Sequence, residues 1–205
     1  MKRILLLFTV MAVSLAVASG VALAVDREGT NGPDNLRGTN RADTLVGKGG
    51  NDVLSGLAGR DHLVGGPGKD WVLSGNQHFA EGLFGRGDKQ LVGGPGNDGI
   101  HAGQGSDNAL GGAGNDLLID GSLSESSYDD FHGGGGNDVI IVNHTPSFKD
   151  RVSCGSGFDW VGADPKDVVA PNCEKVGIIR TAAQEGEFFE SILPRFYRSL
   201  APLPD

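Results

Sequence analysis

The chain has 205 residues, 35 of them glycine, and a formal net charge of −9 at pH 7. Its length fits one domain, but glycine stands far above the ~7% of an ordinary globular protein and demands a special architecture. No Gly-X-Y period marks a collagen, the regular return of Leu, Val and Ile argues against simple disorder, and the acidic balance disfavours nucleic acid as a partner and favours cations.

The chain opens on Met1-Lys2-Arg3, an apolar run from Ile4 to Val17, and Ala22-Leu23-Ala24 as an A-x-A cleavage site. This order predicts a secretory signal peptide over 1–24 and a mature chain exported from the cell. The apolar run is short for the ~20 residues of a membrane span, and no second such run follows, so no span is expected in the mature chain.

From Gly29 the chain divides into nines: GTNGPDNLR, GTNRADTLV, GKGGNDVLS, GLAGRDHLV and GGPGKDWVL follow one another without a gap. The phase returns in GGPGNDGIH, AGQGSDNAL and GGAGNDLLI from residue 93, in GGGGNDVII from 133 and in CGSGFDWVG from 154. Position six is always Asp: Asp34, Asp43, Asp52, Asp61, Asp70, Asp98, Asp107, Asp116, Asp138 and Asp159. Position eight is always apolar, from Leu36, Leu45, Leu54, Leu63 and Val72 to Ile100, Ala109, Leu118, Ile140 and Val161.

A period of nine with one carboxylate and one apolar anchor is incompatible with an amphipathic helix, whose apolar face returns every three or four residues. Glycines at positions one, two and four permit a tight turn, which leaves only about three residues for a strand. Strands that short are stable when stacked in parallel on copies of themselves, with position eight inward and two units forming a coil of about eighteen residues. The expected fold is all-β, a parallel β-roll or right-handed β-solenoid, over residues 25–176. Segments 74–83, 120–127 and 142–144 break the phase and are expected to be surface loops in one continuous domain.

In such a roll, aspartates two units apart share an edge: Asp34, Asp52 and Asp70 form one row, Asp43 and Asp61 another. Parallel coils lie ~4.8 Å apart, so stacked carboxylates repel unless a cation sits between them. Carboxylates and turn carbonyls make an all-oxygen shell, which favours Ca²⁺. Zn²⁺ is disfavoured because His62, His78, His101, His132 and His144 are dispersed without metal-ligand pairing.

GGPGND at 93–98, GGAGND at 111–116 and GGGGND at 133–138 resemble the GGxGxD core of the RTX, or haemolysin-type calcium-binding, repeat. The resemblance covers about residues 29–162 and implies a β-roll in which the ten position-six aspartates and the turn carbonyls share several Ca²⁺ ions. Departures set limits. FGRGDKQLV at 84–92 carries Lys89 at position six, GTNRADTLV lacks two of the glycines, and Asp129 and Asp150 belong to irregular units.

The two cysteines, Cys154 and Cys173, lie in a chain bound for an oxidising compartment and are expected to form one disulfide that staples the last coils. Beyond Gly177 the repeat is lost. Phe188, Phe189, Ile192, Leu193 and Phe196 recur near helical spacing and predict a short helical cap over the end of the stack within 177–205, broken near Pro194.

No HExxH, GxSxG, GxxxxGK[ST] or CxxC is found, so no enzyme is expected. The expected function is a secreted calcium-binding repeat protein with a structural or interaction role outside the cell and calcium coupled to folding. The alternative is a non-catalytic surface adhesin, or a carbohydrate- or protein-binding module that calcium makes rigid. Beyond calcium, the expected partner is an extracellular or cell-envelope protein or glycan. Trp71 and Trp160, both at outward-facing position seven, read as side chains covering the sheet rather than as a binding platform.

Overall fold

A computed structural model of the chain describes residues 23–75, 90–120, 128–142 and 149–178. The proposed signal peptide and its apolar run lie largely outside the described residues. The strands in chain order are β1 (Asp26–Glu28), β2 (Asn35–Arg37), β3 (Thr44–Val46), β4 (Val53–Leu57), β5 (His62–Val64), β6 (Trp71–Gly75), β7 (Gln90–Pro95) and β8 (Gly99–Ala102). They continue as β9 (Asn108–Ala113), β10 (Leu117–Asp120), β11 (Asp130–Gly135), β12 (Val139–Val142), β13 (Arg151–Ser156), β14 (Trp160–Ala163), β15 (Val168–Val169) and β16 (Lys175–Ile178).

Each nine-residue unit is one turn and one strand, so the chain comes back to the same face every second unit. Odd-numbered strands form one eight-stranded sheet and even-numbered strands the other, each in sequence order. All pairings are parallel, and the register follows the repeat: Leu36 lies opposite Leu54, Leu54 opposite Val72, and Val72 opposite Ile100. The described part is thus an all-β parallel solenoid, as the period implied.

The core is the file of position-eight side chains between the two sheets. Leu45, Leu54, Leu63, Val72, Ile100, Ala109, Leu118, Ile140 and Val161 are all buried, joined by Leu91, Phe131 and Val152 from the irregular units. Leu36, in the first coils, is only partly buried. With strands this short, closing that single file against water is the main apolar gain each coil offers.

The interruptions leave the stack intact. β5 pairs with β7 and β6 with β8 across residues 76–89, so the roll continues through its most irregular stretch. Strands also run into the expected loops: β6 includes Ser74 and Gly75, β10 ends on Asp120 and β12 on Val142. Lys89 and the remaining loop residues 76–88, 121–127 and 143–148 lie outside the described residues. The last even strand, β16, extends through Ile178, and the expected C-terminal helix lies outside the described residues, which contain no helix.

The turns explain the glycines. Positions two and four adopt positive φ, as at Gly66 (110°) and Gly68 (155°) in one turn and Gly94 (123°) and Gly96 (153°) in the next. A Cβ on Gly68 would collide with the Gly50 carbonyl of the coil before it. Four units carry a side chain at position two, Thr30, Thr39, Lys48 and Leu57, and of these Lys48 and Leu57 are held at φ 80° and 77°. That conformation costs an L-residue ~1–2 kcal/mol, partly offset in glycine by its greater chain entropy. Leu57→Gly is therefore expected to raise stability by up to about 1 kcal/mol, and Gly68→Ala to lower it, in thermal melts followed by circular dichroism in calcium.

Candidate metal centres

Position six stands at the mouth of each strand, so its side chain lies in the turn groove while its backbone belongs to the ladder. In the turns that lead into the even sheet, each carboxylate clamps the coil before it. The N–H of Asp34 donates to Oδ1 of Asp52 (2.9 Å), Asp52 to Asp70 (2.8 Å), Asp70 to Asp98 (2.8 Å) and Asp98 to Asp116 (2.9 Å). The column goes on from Asp116 to Asp138 (2.9 Å), from Asp138 to Asp159 (2.8 Å), and from Asp159 to Oε2 of Glu174 (2.9 Å).

Among the described residues the opposite edge repeats the arrangement on either side of 76–89. Val25 N–H donates to Asp43 (2.7 Å) and Asp43 to Asp61 (2.8 Å). After the stretch that contains Lys89, Asp107 donates to Asp129 (2.7 Å), Asp129 to Asp150 (2.9 Å) and Asp150 to Asp167 (3.0 Å). Nine of the ten aspartates singled out by the repeat are buried, at 4% exposure or less, and Asp34 is half-buried.

At Asp34 and Asp43 the second carboxylate oxygen accepts from the backbone N–H and hydroxyl of Thr30 and Thr39; farther along the even-sheet column it faces a groove without a donor. Oδ2 of Asp52, Asp70, Asp98, Asp116, Asp138 and Asp159 is buried with no hydrogen-bond partner among the described residues. A buried acceptor left unmatched costs about 1–3 kcal/mol, more when charged. Six in one column mark a place built for something positive.

The position-one glycines make room for these atoms. A Cβ on Gly111 would lie 2.5 Å from Asp116 Oδ2 and 2.5 Å from the carbonyl oxygen of Gly133 in the following coil. On Gly93 it would lie 2.5 Å from Asp98 Oδ2 and 2.6 Å from the Gly111 carbonyl. A carboxylate oxygen and a carbonyl oxygen from successive coils therefore converge on one space, and with the carboxyl ionised neither can donate. The carbonyls of Gly50, Gly68, Gly96 and Gly114 likewise press against position four of the next coil. Hard oxygens from two coils and no nitrogen or sulfur suit Ca²⁺.

The electrostatics agree. Burial, and secondarily the neighbouring aspartates, pushes the carboxyl of Asp70 up to about 6, Asp98 and Asp138 to about 7, and Asp116 to about 8, against the partial relief of the N–H bonds they accept. Asp52 and Asp159 are raised for the same leading reason. The raised values favour the protonated carboxyls when no metal is bound, and a bound cation would displace those protons.

Acidic residues outside the regular nonapeptides also enter the columns. Asp129 and Asp150 stand in full register with Asp107, and Asp167 and Glu174 extend the two columns past the last regular unit. Asp120, at the end of β10, meets Asp129 and Asp150 with carboxylate oxygens within 4.8 Å of one another, a group that could hold a metal ion. A second ladder runs outside the first: the side-chain Oδ1 of Asn51, Asn97, Asn115 and Asn137 accepts the position-five N–H of Lys69, Asn115, Asn137 and Phe158. The Asn of the GGxGND units thus has a stacking role.

The expected disulfide joins Cys154 to Cys173. Cys154 takes the place of a position-one glycine, across from Gly133 in the register of β11 and β13. In this last regular unit a covalent bond arises where earlier units keep space beside the carboxylate.

Stacked Gly/Asp turns joining two parallel sheets, with buried carboxylates facing carbonyls between coils, define a metal-binding β-roll. The chain belongs to the RTX calcium-binding nonapeptide repeat family, which matches it in four copies over residues 28–56, 46–78, 85–118 and 128–142. These repeats bind calcium, and their roll is a structural domain. No curated protein matches the chain.

The raised carboxyls set the pH dependence of the metal-free roll. Between the unfolded value of 3.8 and the folded values of about 6 to 8, the folded chain binds more protons than the unfolded one, so stability falls as pH rises. Metal-free protein is expected to melt at progressively lower temperature from pH 5 to pH 8, and the increment conferred by saturating calcium to grow over the same interval. Differential scanning calorimetry with and without calcium measures both.

Proposed function

We propose that the protein is an exported, non-catalytic calcium-binding module whose roll folds on the ions it takes up between successive coils. The observation that carries this is the column of buried Oδ2 atoms of Asp52, Asp70, Asp98, Asp116, Asp138 and Asp159, each without a donor. Calcium supplies the positive charge that lets these carboxylates ionise together. Asp34, Asp43, Asp61 and Asp107 are assigned the same role by their place in the turns, and the position-one and position-four carbonyls complete the oxygen shells.

The remaining assignments follow from the chain's organisation. Residues 1–24 are assigned as a signal peptide on their charged start, apolar run and A-x-A end. Residues 25–176 form the calcium-dependent unit, continuous across 74–92. A structural rather than catalytic role is supported by how many side chains between Gly29 and Ile178 serve the turns and the core file.

Coupling between binding and folding follows from electrostatics: ionised carboxylates at ~4.8 Å spacing oppose the stack unless cations intervene. Removal of calcium at pH 7.5 is expected to abolish most of the β-sheet signal in far-ultraviolet circular dichroism, and calcium but not magnesium to restore it. A spectrum and melting temperature indifferent to chelator, in protein shown to be free of bound calcium, would falsify the proposal. Asp116→Asn, which keeps the Oδ1 acceptor but removes the charge, is expected to raise the calcium concentration needed for refolding and to lower the number of ions bound in equilibrium dialysis.

A further inference from the structure

The two sheets differ on their outer faces. On the odd sheet, Thr44, His62, Gln90, Asn108 and Asp130 form one outward row, and Val46, Val64, Val92 and Leu110 the other. On the even sheet, Trp71, Gly99, Leu117, Val139 and Trp160 stand in one row, and Leu73, His101, Ile119 and Ile141 in the next. Leu117, Val139 and Ile141 form an apolar cluster separate from the core, with Trp71, Ile119 and Trp160 packed against it.

This second cluster is closed to a degree that neighbours within the sheet do not achieve. Val64, Val92 and Leu110, stacked on one another on the odd sheet, remain half-buried. Leu117, Val139 and Ile141 are 2%, 1% and 3% exposed although they point away from the core. Ile141 has Ile119 on one side and Gly162, which has no side chain, on the other. Trp71 leans over Gly99, where a Cβ would meet its ring at 2.7 Å. A layer above the sheet is required.

We propose that the chain's own C-terminal segment, residues 181–197, lies across the outer face of the even sheet and covers Leu117, Val139 and Ile141 between the two tryptophans. Position and reach support this. The segment follows β16, the terminal strand of that same sheet. Thirteen residues in helical form would span about 20 Å, and the four strand spacings from β16 to β8 amount to about 19 Å. Its apolar residues Phe188, Phe189, Ile192 and Leu193 suit an apolar face. The end of the stack, where the sequence places a cap, stays open: Val168, Val176 and Ile178 are 44%, 43% and 42% exposed.

Trp71 and Trp160 are the only tryptophans in the chain, so its indole fluorescence reports on this face alone. In the calcium-loaded full-length chain, Phe188→Ser/Ile192→Ser/Phe196→Ser is expected to shift emission to the red and raise acrylamide quenching several-fold, with the number of bound calcium ions unchanged. Unchanged emission and quenching would overturn the proposal. So would the same response from Phe79→Ser/Phe84→Ser instead, which would assign the cover to the 76–89 insertion. Phe189→p-benzoylphenylalanine gives an independent reading should the triple variant fail to fold. An intramolecular crosslink to residues 99–119 or 139–141 is expected; a crosslink elsewhere, or only between two chains, would overturn the assignment. Since calcium stoichiometry is read separately, failure here leaves the calcium-dependent role standing, and the reverse.

Discussion

Everything in this molecule turns on carboxylates stacked one coil apart in a groove that excludes water. Two columns of aspartates run the length of the roll, each side chain gripping the backbone N–H of the coil before it. The grip orients the carboxylate and uses one oxygen. At Asp52, Asp98, Asp116 and Asp138 the second oxygen shares its space with a carbonyl of the following coil, and once the carboxyl is ionised neither atom has a proton to share. A hydrogen-bond network that fixes geometry so well creates an electrostatic fault that only protons or cations can repair.

The glycines follow from that constraint rather than from a general need for flexibility. Position one is small because Asp Oδ2 and a neighbouring carbonyl occupy the space where a Cβ would be; positions two and four are small because the turn requires positive φ and close contact with the coil below. At Lys48 and Leu57 position two keeps its positive φ without glycine, and the strain is tolerated. Apolar residues have only to fill one file between the sheets, so a chain with so much glycine still has a continuous core.

The period of nine made the fold readable because it sets strand pairing, core positions and the acidic edge at once. Asp34, Asp52 and Asp70, spaced evenly, fell into one row on spacing alone. Insertions then concealed the rest: Asp70 meets Asp98 across 28 residues, and Asp107 meets Asp129 across 22, distances no fixed period would match. Asp167 and Glu174 lack any surrounding repeat, and their roles come from register with β13 and β14 rather than from a motif. Trp71 and Trp160 did prove outward-facing, but the cluster they flank depends on Leu117, Val139 and Ile141, which any strand of this composition could carry without a covering layer.

The bond between Cys154 and Cys173 gives the stack a direction. A one-dimensional array with nearest-neighbour contacts loses order from its ends, since a terminal coil has a neighbour on one side only. Here one terminus is tied covalently, while the other begins with the exposed strand β1 and the half-buried Leu36. Depletion of ions would peel the coils from the N-terminal side, leaving the tied coils as the seed on which the remainder could wind again.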